Sequence, residues 1–219
     1  MGKCIIFCAG GFDGLLEPIT PNDLVIAADG GLRHTQNLGV QPEVILGDFD
    51  SLGYIPEDSK VFPCEKDDTD AMLAVRCGLE KGFREFMIYG GVEGPRLEHT
   101  VANFQTLQYL AEHGARGYPI GQSQIVSVLA HGQMIFSDSA KGYLSVFCLG
   151  QDACGVSLEG LHYTMRNGTL TAGFPLGVSN RFIGKEARVC VESGCLLLIW
   201  DRTNGIPKVM SAQQEKEYF

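Results

Sequence analysis

Short apolar runs alternate with helix-like segments through the first half of the chain, and this alternation restricts the fold more than any other feature. The runs have the length of strands, and they are too continuously apolar for a sheet with one exposed face. The predicted strands are Cys4–Cys8, Leu24–Ala28, Val44–Leu46, Val61–Pro63 and Phe86–Tyr89. Helical patterns lie between or after them, near residues 31–38, 69–81 and 96–113. Strands interleaved with helices predict an α/β domain with a mostly parallel sheet.

The helix expected from Arg96 onward has two distinct faces. Apolar residues recur along it with a 3.6-residue period, and they predict the face that is buried. These residues are Leu97, Val101, Phe104 and Ala111. Arg96, His99 and Asn103 have the spacing of neighbours on a helix, so we expect them to share a different face.

The second half of the chain has the pattern of antiparallel strands. Apolar and polar residues alternate in short runs that are separated by turn residues. These runs are Ile125–Leu129, Met134–Phe136, Leu144–Leu149, Val156–Leu161, Ala187–Val191 and Cys195–Trp200. His131-Gly132, Asn167-Gly168 and Ser193-Gly194 are dipeptides typical of hairpin turns. We therefore expect an α/β domain over residues 1–118, followed by an all-β antiparallel sandwich over residues 119–219.

Composition narrows the classes of partner. The formal net charge is −9, from 17 basic and 26 acidic side chains. Because nucleic-acid backbones are bound by basic patches, this balance argues against a nucleic-acid partner and suits a cationic ligand or a divalent metal. No apolar run approaches the ~20 residues of a membrane span, so no membrane partner is expected. Eight cysteines without a Cys-x-x-Cys motif or an export signal suit free thiols in the cytoplasm.

Five aspartates follow the ends of three predicted strands. They are Asp29 after the second strand, Asp48 and Asp50 after the third, and Asp67 and Asp70 after the fourth. If the strands are parallel, these carboxylates meet at the carboxyl edge of the sheet, where open α/β sheets bind ligands. Two unit charges ~4 Å apart repel by about 4 kcal/mol at an effective dielectric constant of 20. A cation would relieve that repulsion, and a site of oxygen ligands alone favours Mg²⁺, Ca²⁺ or Mn²⁺.

Each aspartate taken singly has a structural explanation as well. Asp67 suits a helix N-cap, with Asp70 at the third helical position. Asp48 and Asp50 flank a turn, and Asp29 precedes two glycines, which are positions where Asp is common. Turn preference alone is a poor explanation for all five aspartates at one edge, so the cation site is favoured.

A glycine-rich segment joins a predicted strand to the helix that begins near Arg96. Its sequence is Gly90-Gly91-Val92-Glu93-Gly94-Pro95-Arg96. Glycines allow close approach to the backbone, and a helix N-terminus offers free N–H groups to a phosphate. Arg96 adds a planar set of donors. The segment is neither a Walker A loop nor a dinucleotide fingerprint.

Together these motifs resemble the thiamine pyrophosphokinase (thiamine diphosphokinase) family, over nearly the whole chain. The motifs, in order, are Ala28-Asp29-Gly30-Gly31, Gly47-Asp48-Phe49-Asp50-Ser51, Lys66-Asp67-Asp68-Thr69-Asp70, Gly90-Gly91 with Arg96-Leu97-Glu98-His99 and Asn103, and Gly177-Val178-Ser179-Asn180. The family transfers a diphosphoryl group from ATP to the hydroxyl group of thiamine, which gives thiamine diphosphate and AMP. The resemblance also implies an α/β domain followed by a β-sandwich, and a homodimer whose site is completed across the interface.

The resemblance implies roles for individual residues. The Mg²⁺ and phosphate-handling carboxylates would be Asp29, Asp48, Asp50 and Asp70, and catalysis would use the last three with Arg96. ATP would be bound by Gly30, Gly31, Gly90, Gly91, Gly94, Arg96, Glu98, His99 and Asn103. Thiamine would be bound by Asp67, Asp70, Ser179 and Asn180.

The sequence departs from the family pattern at two positions, and it leaves two other functions open. The family usually has Asp in place of Glu98 and Gly in place of Pro95. One alternative is therefore a binding protein for thiamine or a nucleotide that has lost catalysis. The other is an Asp-x-Asp phosphatase that uses Asp48 as its nucleophile, although Leu52 does not fit that pattern.

Overall fold

The computed structural model describes residues 2–50, 52–61, 68–94 and 96–210. The chain divides into two compact units, Met1–Gln122 and Ser123–Phe219, which we call unit 1 and unit 2. The boundary expected at residue 118 falls inside a strand of unit 1, Arg116–Ile120. That strand contains a glycine and a proline, so its sequence lacks the continuous apolar run of its neighbours.

Unit 1 alternates strands with helices. Its elements are β1 (Cys4–Phe7), β2 (Leu24–Ala28), α1 (Leu32–Leu38), β3 (Val44–Gly47), β4 (Lys60–Val61), α2 (Asp70–Glu80), β5 (Glu85–Tyr89), α3 (Leu97–Glu112) and β6 (Arg116–Ile120). The three expected helices are confirmed to within a residue or two at each end. The strand expected over residues 61–63 is described only as far as Val61, and Asp67 lies outside the described residues.

The strands of unit 1 pair in parallel in the order β4-β3-β2-β1-β5-β6. The chain builds the sheet outward from β1 in one direction as far as β4. It then returns to the other side of β1 to add β5 and β6. The order therefore reverses between β1 and β5, and this switch point is where open parallel sheets form a ligand crevice beyond the carboxyl ends of their strands.

The buried face of α3 differs from the expected one. Leu97 and Val101 are 73% and 50% exposed, so the predicted apolar stripe is wrong at these two positions, while Phe104 and Ala111 are half-buried. The buried residues are Asn103, Thr106, Leu107 and Leu110. Two of these are polar, and they are satisfied by backbone carbonyls: Asn103 donates to Gly91, and Thr106 donates to Ala102.

Unit 2 consists of antiparallel strands. They are β7 (Gln124–Leu129), β8 (Gly132–Phe136), β9 (Tyr143–Cys148), β10 (Ala153–Glu159), β11 (Met165–Leu170), β12 (Asn180–Arg181), β13 (Ala187–Val191), β14 (Leu196–Asp201) and β15 (Lys208–Met210). They form one sheet in the order β12-β9-β14-β7 and another in the order β11-β10-β13-β8-β15. Phe136 of β8 packs edge-on against Trp200 of β14, with ring centroids 5.5 Å apart, so the two sheets share a core.

The three expected hairpins are wrong. His131-Gly132 joins β7 to β8, and Ser193-Gly194 joins β13 to β14, but the strands of each pair belong to different sheets. Asn167-Gly168 lies inside β11, where the register against β10 is irregular. His131 and Asn167 do adopt the positive φ that such dipeptides favour. The local conformation was therefore foreseeable, whereas the pairing partner of the next strand was not.

No helix in the described part of the chain is both long and apolar enough to cross a membrane.

Candidate active site

Asp29, Asp48 and Asp50 come together at the carboxyl edge of the sheet in unit 1. One carboxylate oxygen from each lies within 4.8 Å of the others. The register of the sheet explains the meeting, because Ala28 of β2 pairs with Leu46 of β3 and the aspartates follow directly. Asp29 and Asp48 are partly buried, while Asp50 is exposed. Three carboxylate oxygens at this spacing could hold a divalent cation.

The backbone at Asp29 is shaped for this contact. Asp29 has a φ of 47°, a left-handed conformation that few side-chain-bearing residues adopt. Gly47 approaches it so closely that a Cβ atom on Gly47 would lie 3.0 Å from the Cα of Asp29. A Cβ atom on Gly31 would lie 1.9 Å from the carbonyl oxygen of Phe7. The glycines of these two motifs thus allow close packing of the chain around Asp29.

Phe49 anchors the turn that carries Asp48 and Asp50. Its side chain is only 2% exposed and packs in a cluster with Ala27 and Leu32. Its φ of 59° is also left-handed. The Asp50 N–H donates to the Asp48 carboxylate over 3.3 Å, which closes a local turn. Burial of the central ring leaves the two flanking aspartates at the surface of the turn.

A cleft of about 270 Å³ lies at the switch point of the sheet. Its lining residues are Cys8, Ala9, Gly10, Ala28, Asp29, Asp50, Asp70, Ala71, Gly90, Gly91, Gly94, Arg96, His99, Thr100 and Asn103. Most of the predicted site residues of unit 1 are therefore in one cleft. Gly30, Gly31, Glu98 and Asp48 are not among its described lining residues. Asp48 is nevertheless close to the cleft, because its carboxylate oxygen lies within 4.8 Å of those of Asp29 and Asp50, which line it.

Gly10 lines the cleft but belongs to none of the motifs seen in the sequence. It follows β1, while Gly90 follows the adjacent strand β5. The Gly10 N–H donates to the Gly90 carbonyl over 3.1 Å, and a Cβ atom on Gly10 would lie 2.4 Å from that oxygen. The available signal was a glycine three residues after the end of the first strand, but its value depends on knowing that β1 and β5 are neighbours.

The loop after β5 is fixed by α3. Asn103 is buried, and its side-chain amide donates to the Gly91 carbonyl over 2.6 Å. Arg96 occupies the N-cap of α3 and lines the cleft. The first N–H groups of the helix have no side-chain cap there, so this end of the cleft suits an anion.

Glu98 is paired with Arg96. The Arg96 Nε atom donates to the Glu98 carboxylate over 2.7 Å, and both side chains are about two-thirds exposed. This hydrogen bond is the main reason that the pKa of Glu98 lies below its usual value. The pair engages the Nε atom of Arg96, and among the described residues no hydrogen bond is found at its Nη atoms.

Asp70 opens α2 and lines the same cleft. The N-cap of this helix is Thr69, whose hydroxyl accepts the Met72 N–H over 3.2 Å. Asp70 is therefore the first helical residue, and the expected cap at Asp67 is wrong. Burial, with smaller contributions from the charges of Asp70 and Asp29, raises the pKa of the nearby Cys8 thiol to about 12. The pKa of this one buried thiol is thus affected by both carboxylates.

Charge is unevenly divided between the two units. Unit 1 has nine of the 17 basic and 18 of the 26 acidic side chains, so the whole formal charge of −9 belongs to it. Its cleft is therefore electrostatically suited to cations, and an anionic ligand would need a counter-ion to enter.

The predicted thiamine-binding residues of unit 2 have contrasting environments. Ser179 is exposed with a φ of 57°, and its N–H donates to the Ser145 hydroxyl. Asn180 is buried, and its side-chain amide both donates to and accepts from the backbone of Tyr163. Ser179 is thus open to solvent, whereas Asn180 holds the neighbouring loop.

Two family models match this chain. The model for the thiamin pyrophosphokinase catalytic domain matches residues 17–118. The model for the thiamin pyrophosphokinase vitamin B1 binding domain matches residues 133–196. The first match contains all of the aspartates discussed above, and the second contains Ser179 and Asn180.

Relatives that align with nearly the whole chain are also thiamine pyrophosphokinases. Thiamine pyrophosphokinase of Bacillus subtilis (strain 168) is 28% identical over 213 residues, which cover 90% of this chain and 98% of that protein. A crystal structure of thiamine pyrophosphokinase from Bacillus subtilis has a TM-score of 0.77 at 26% identity, covering 92% of this chain and 99% of the other. The thiamin pyrophosphokinase of Candida albicans has a TM-score of 0.72 at 18% identity, covering 91% and 89%, and it supports the fold alone.

Proposed function

Because the chain belongs to the thiamin pyrophosphokinase family, we propose that the cleft of unit 1 is where a diphosphoryl group passes from ATP to thiamine. The carboxylate group formed by Asp29, Asp48 and Asp50 carries this proposal. It lies beside a glycine-lined anion site in the same cleft. An acidic cluster and a phosphate site together suit the transfer of a phosphoryl group better than either does alone.

The carboxylate group would hold Mg²⁺. Its donors are oxygens only, which is the set that Mg²⁺ prefers, and Mg²⁺ usually completes its shell with substrate phosphates. When bound, the ion would neutralise charge on the triphosphate. Without such a counter-charge, ATP would meet a unit with a formal charge of −9.

Arg96 and the start of α3 would bind the phosphates of ATP. The N-terminus of α3, where the N-cap residue makes no side-chain hydrogen bond, and the Nη atoms of Arg96 would supply donors at one end of the cleft. Gly90, Gly91 and Gly94 line the same end and leave room for close approach. His99 and Asn103 complete this wall, and Asn103 acts by holding Gly91 in place.

The reaction needs a bond to form at the β-phosphorus of ATP. The thiamine hydroxyl oxygen attacks that atom, and the bond from the β-phosphorus to the oxygen bridging to the α-phosphorus breaks, so that AMP leaves. The hydroxyl proton must pass to a base, and among the described lining residues Asp70 is the carboxylate outside the group formed by Asp29, Asp48 and Asp50. We assign that role to Asp70. Positioning and neutralisation of charge supply most of the catalysis in such transfers.

Thiamine would be drawn to the cleft by its permanent positive charge, which the acidic unit 1 favours. The two antiparallel sheets of unit 2 would act as a sandwich domain that binds the vitamin, with Ser179 at its surface. We propose that the protein is a homodimer and that unit 2 of one chain completes the cleft of the other. A cytoplasmic location is consistent with the free cysteines of the described residues.

The proposal is tested by mixing the protein with ATP, Mg²⁺ and thiamine, and by following the products chromatographically. We expect AMP and thiamine diphosphate in equal amounts, and no products in EDTA. Asp50→Asn should lower kcat at least 100-fold, because it removes one charge of the cation group. Asp58→Asn is the matched control, since Asp58 is an exposed aspartate of the same unit that does not line the cleft.

Other products would contradict the proposal. ADP with thiamine monophosphate would mean that the γ-phosphorus is attacked. Release of inorganic phosphate through an aspartyl-phosphate would favour the phosphatase alternative at Asp48. Binding of thiamine without turnover would favour the non-catalytic alternative.

A further inference from the structure

His34 contacts the cleft wall from outside the cleft. It lies in α1, and its Nε2 atom is 2.9 Å from the Gly10 carbonyl oxygen. Because a carbonyl can only accept, Nε2 must carry the hydrogen. The ring also packs against Phe12, with centroids 5.1 Å apart. His34 is not among the lining residues of the cleft, whereas Gly10 is.

Both polar atoms of Gly10 are therefore fixed. Its N–H donates to Gly90, and its carbonyl accepts from His34. The first bond joins the two loops at the switch point of the sheet. The second determines which way the peptide between Gly10 and Gly11 faces.

That peptide is unusually free to turn over. Rotation of a peptide by about 180° changes ψ of the residue before it and φ of the residue after it. Here both residues are glycines, which tolerate either sign of φ at little cost. Gly11 is not among the described glycines with positive φ, so a turned peptide would bring it to a positive value. The hydrogen bond from His34 to the Gly10 carbonyl opposes this change.

We propose that His34 is a positioning residue that keeps the Gly10 carbonyl turned away from the nucleotide cleft. This inference rests on the proposed function, because it assumes that the phosphates of ATP lie beside Gly10 and Gly90. A turned peptide would point the negative end of a carbonyl dipole toward those phosphates. His34 thus protects the anion site without touching the substrate.

The test compares variants that keep or lose the hydrogen bond. His34→Gln retains an N–H donor at the end of a similar side chain, whereas His34→Met keeps apolar bulk but has no donor. His113→Met is the matched control, since His113 also bonds a backbone carbonyl, that of Tyr109, but lies outside the cleft lining. Binding of Mg-ATP is measured by calorimetry, and kcat and both KM values are measured alongside.

We expect His34→Met to weaken Mg-ATP binding about fivefold, the effect of one neutral hydrogen bond. His34→Gln should stay within about twofold of the parent protein. KM for ATP should rise in His34→Met, while KM for thiamine does not change. His113→Met should bind Mg-ATP as the parent does.

A second substitution separates positioning from loss of packing. Gly11→Ala should restore Mg-ATP binding to His34→Met, because alanine disfavours the positive φ that a turned peptide needs. The site has room for it, since the nearest atom to a Cβ on Gly11 is a Gln122 side-chain carbon at 3.4 Å. A deficit that persists in the double variant would overturn the inference, as would equal losses in His34→Gln and His34→Met.

A crystal structure of His34→Met decides the matter independently of ATP. The Gly10 carbonyl should point into the cleft, and an unmoved carbonyl would refute the inference. If the parent protein itself bound no Mg-ATP, the proposed function would fail, while this structure would still test the role of His34.

Discussion

Replacement of Phe49 should weaken cation binding by Asp29, Asp48 and Asp50 more than it lowers the stability of the fold. The ring is 2% exposed and packs with Ala27, Leu32 and Leu52, while the aspartates on either side of it belong to the carboxylate group. Phe49→Leu keeps most of the buried volume, so we expect a loss of about 1 kcal/mol in the free energy of unfolding. The smaller side chain would hold the turn less firmly, and we expect a loss of about 10-fold in metal affinity, the lower end of what changes in such supporting contacts cause.

Phe86→Leu is the matched control for this prediction. Phe86 is also fully buried in unit 1, but it lies in β5 and contacts the region of Gly78. It should lose a similar free energy of unfolding, measured with urea, and keep its affinity for Mg²⁺, measured by calorimetry. The reasoning would be refuted if Phe49→Leu bound Mg²⁺ like the parent protein, or if both variants weakened binding equally.

Two further predictions concern titration and assembly. Burial raises the pKa of Cys8 to about 12 from its ordinary value near 9. Its contribution to stability is therefore complete below pH 9 and is lost as the pH rises from 9 to 12. Urea unfolding at several pH values should show this fall, and Cys8→Ala should make it shallower. If the homodimer shares its sites, a mixture of inactive Asp50→Asn with an inactive Ser179 variant should regain about a quarter of the parent activity, whereas separate sites would regain none.

The meeting of the aspartates could be predicted because it depends on a local rule. Each follows the end of a strand, and parallel strands place their carboxyl ends at one edge of a sheet. Only the parallel pairing of consecutive strands had to be assumed. Asp29 and Asp48 are far apart in sequence, yet their strands pair directly through Ala28 and Leu46.

The buried face of α3 could not be predicted in the same way. Asn103 and Thr106 are buried because backbone carbonyls accept their side-chain hydrogen bonds. A search for apolar residues at helical spacing excludes both of them. It selected Leu97 and Val101 instead, and the structure leaves these two exposed.

The hairpin predictions show a different limit. A dipeptide such as His131-Gly132 determines the backbone angles of a turn, and those angles are present. Which sheet the next strand joins depends on the burial of its whole face. The strand β8 joins β13 and β15 and not β7, a choice that no short motif contains.

Gly10 depends both on a local feature, a glycine after a strand, and on the pairing of distant strands. The functional role of the glycine after β1 can be recognised only once β5 is known to be the neighbouring strand, because that pairing places it against Gly90. The chain reaches β5 only after β2, β3 and β4 have been added on the other side of β1. The crevice is thus a product of the strand order, and the order brings the first glycine loop, the second glycine loop and the aspartates to one edge. A functional residue whose role depends on that order can be recognised only when the order is known.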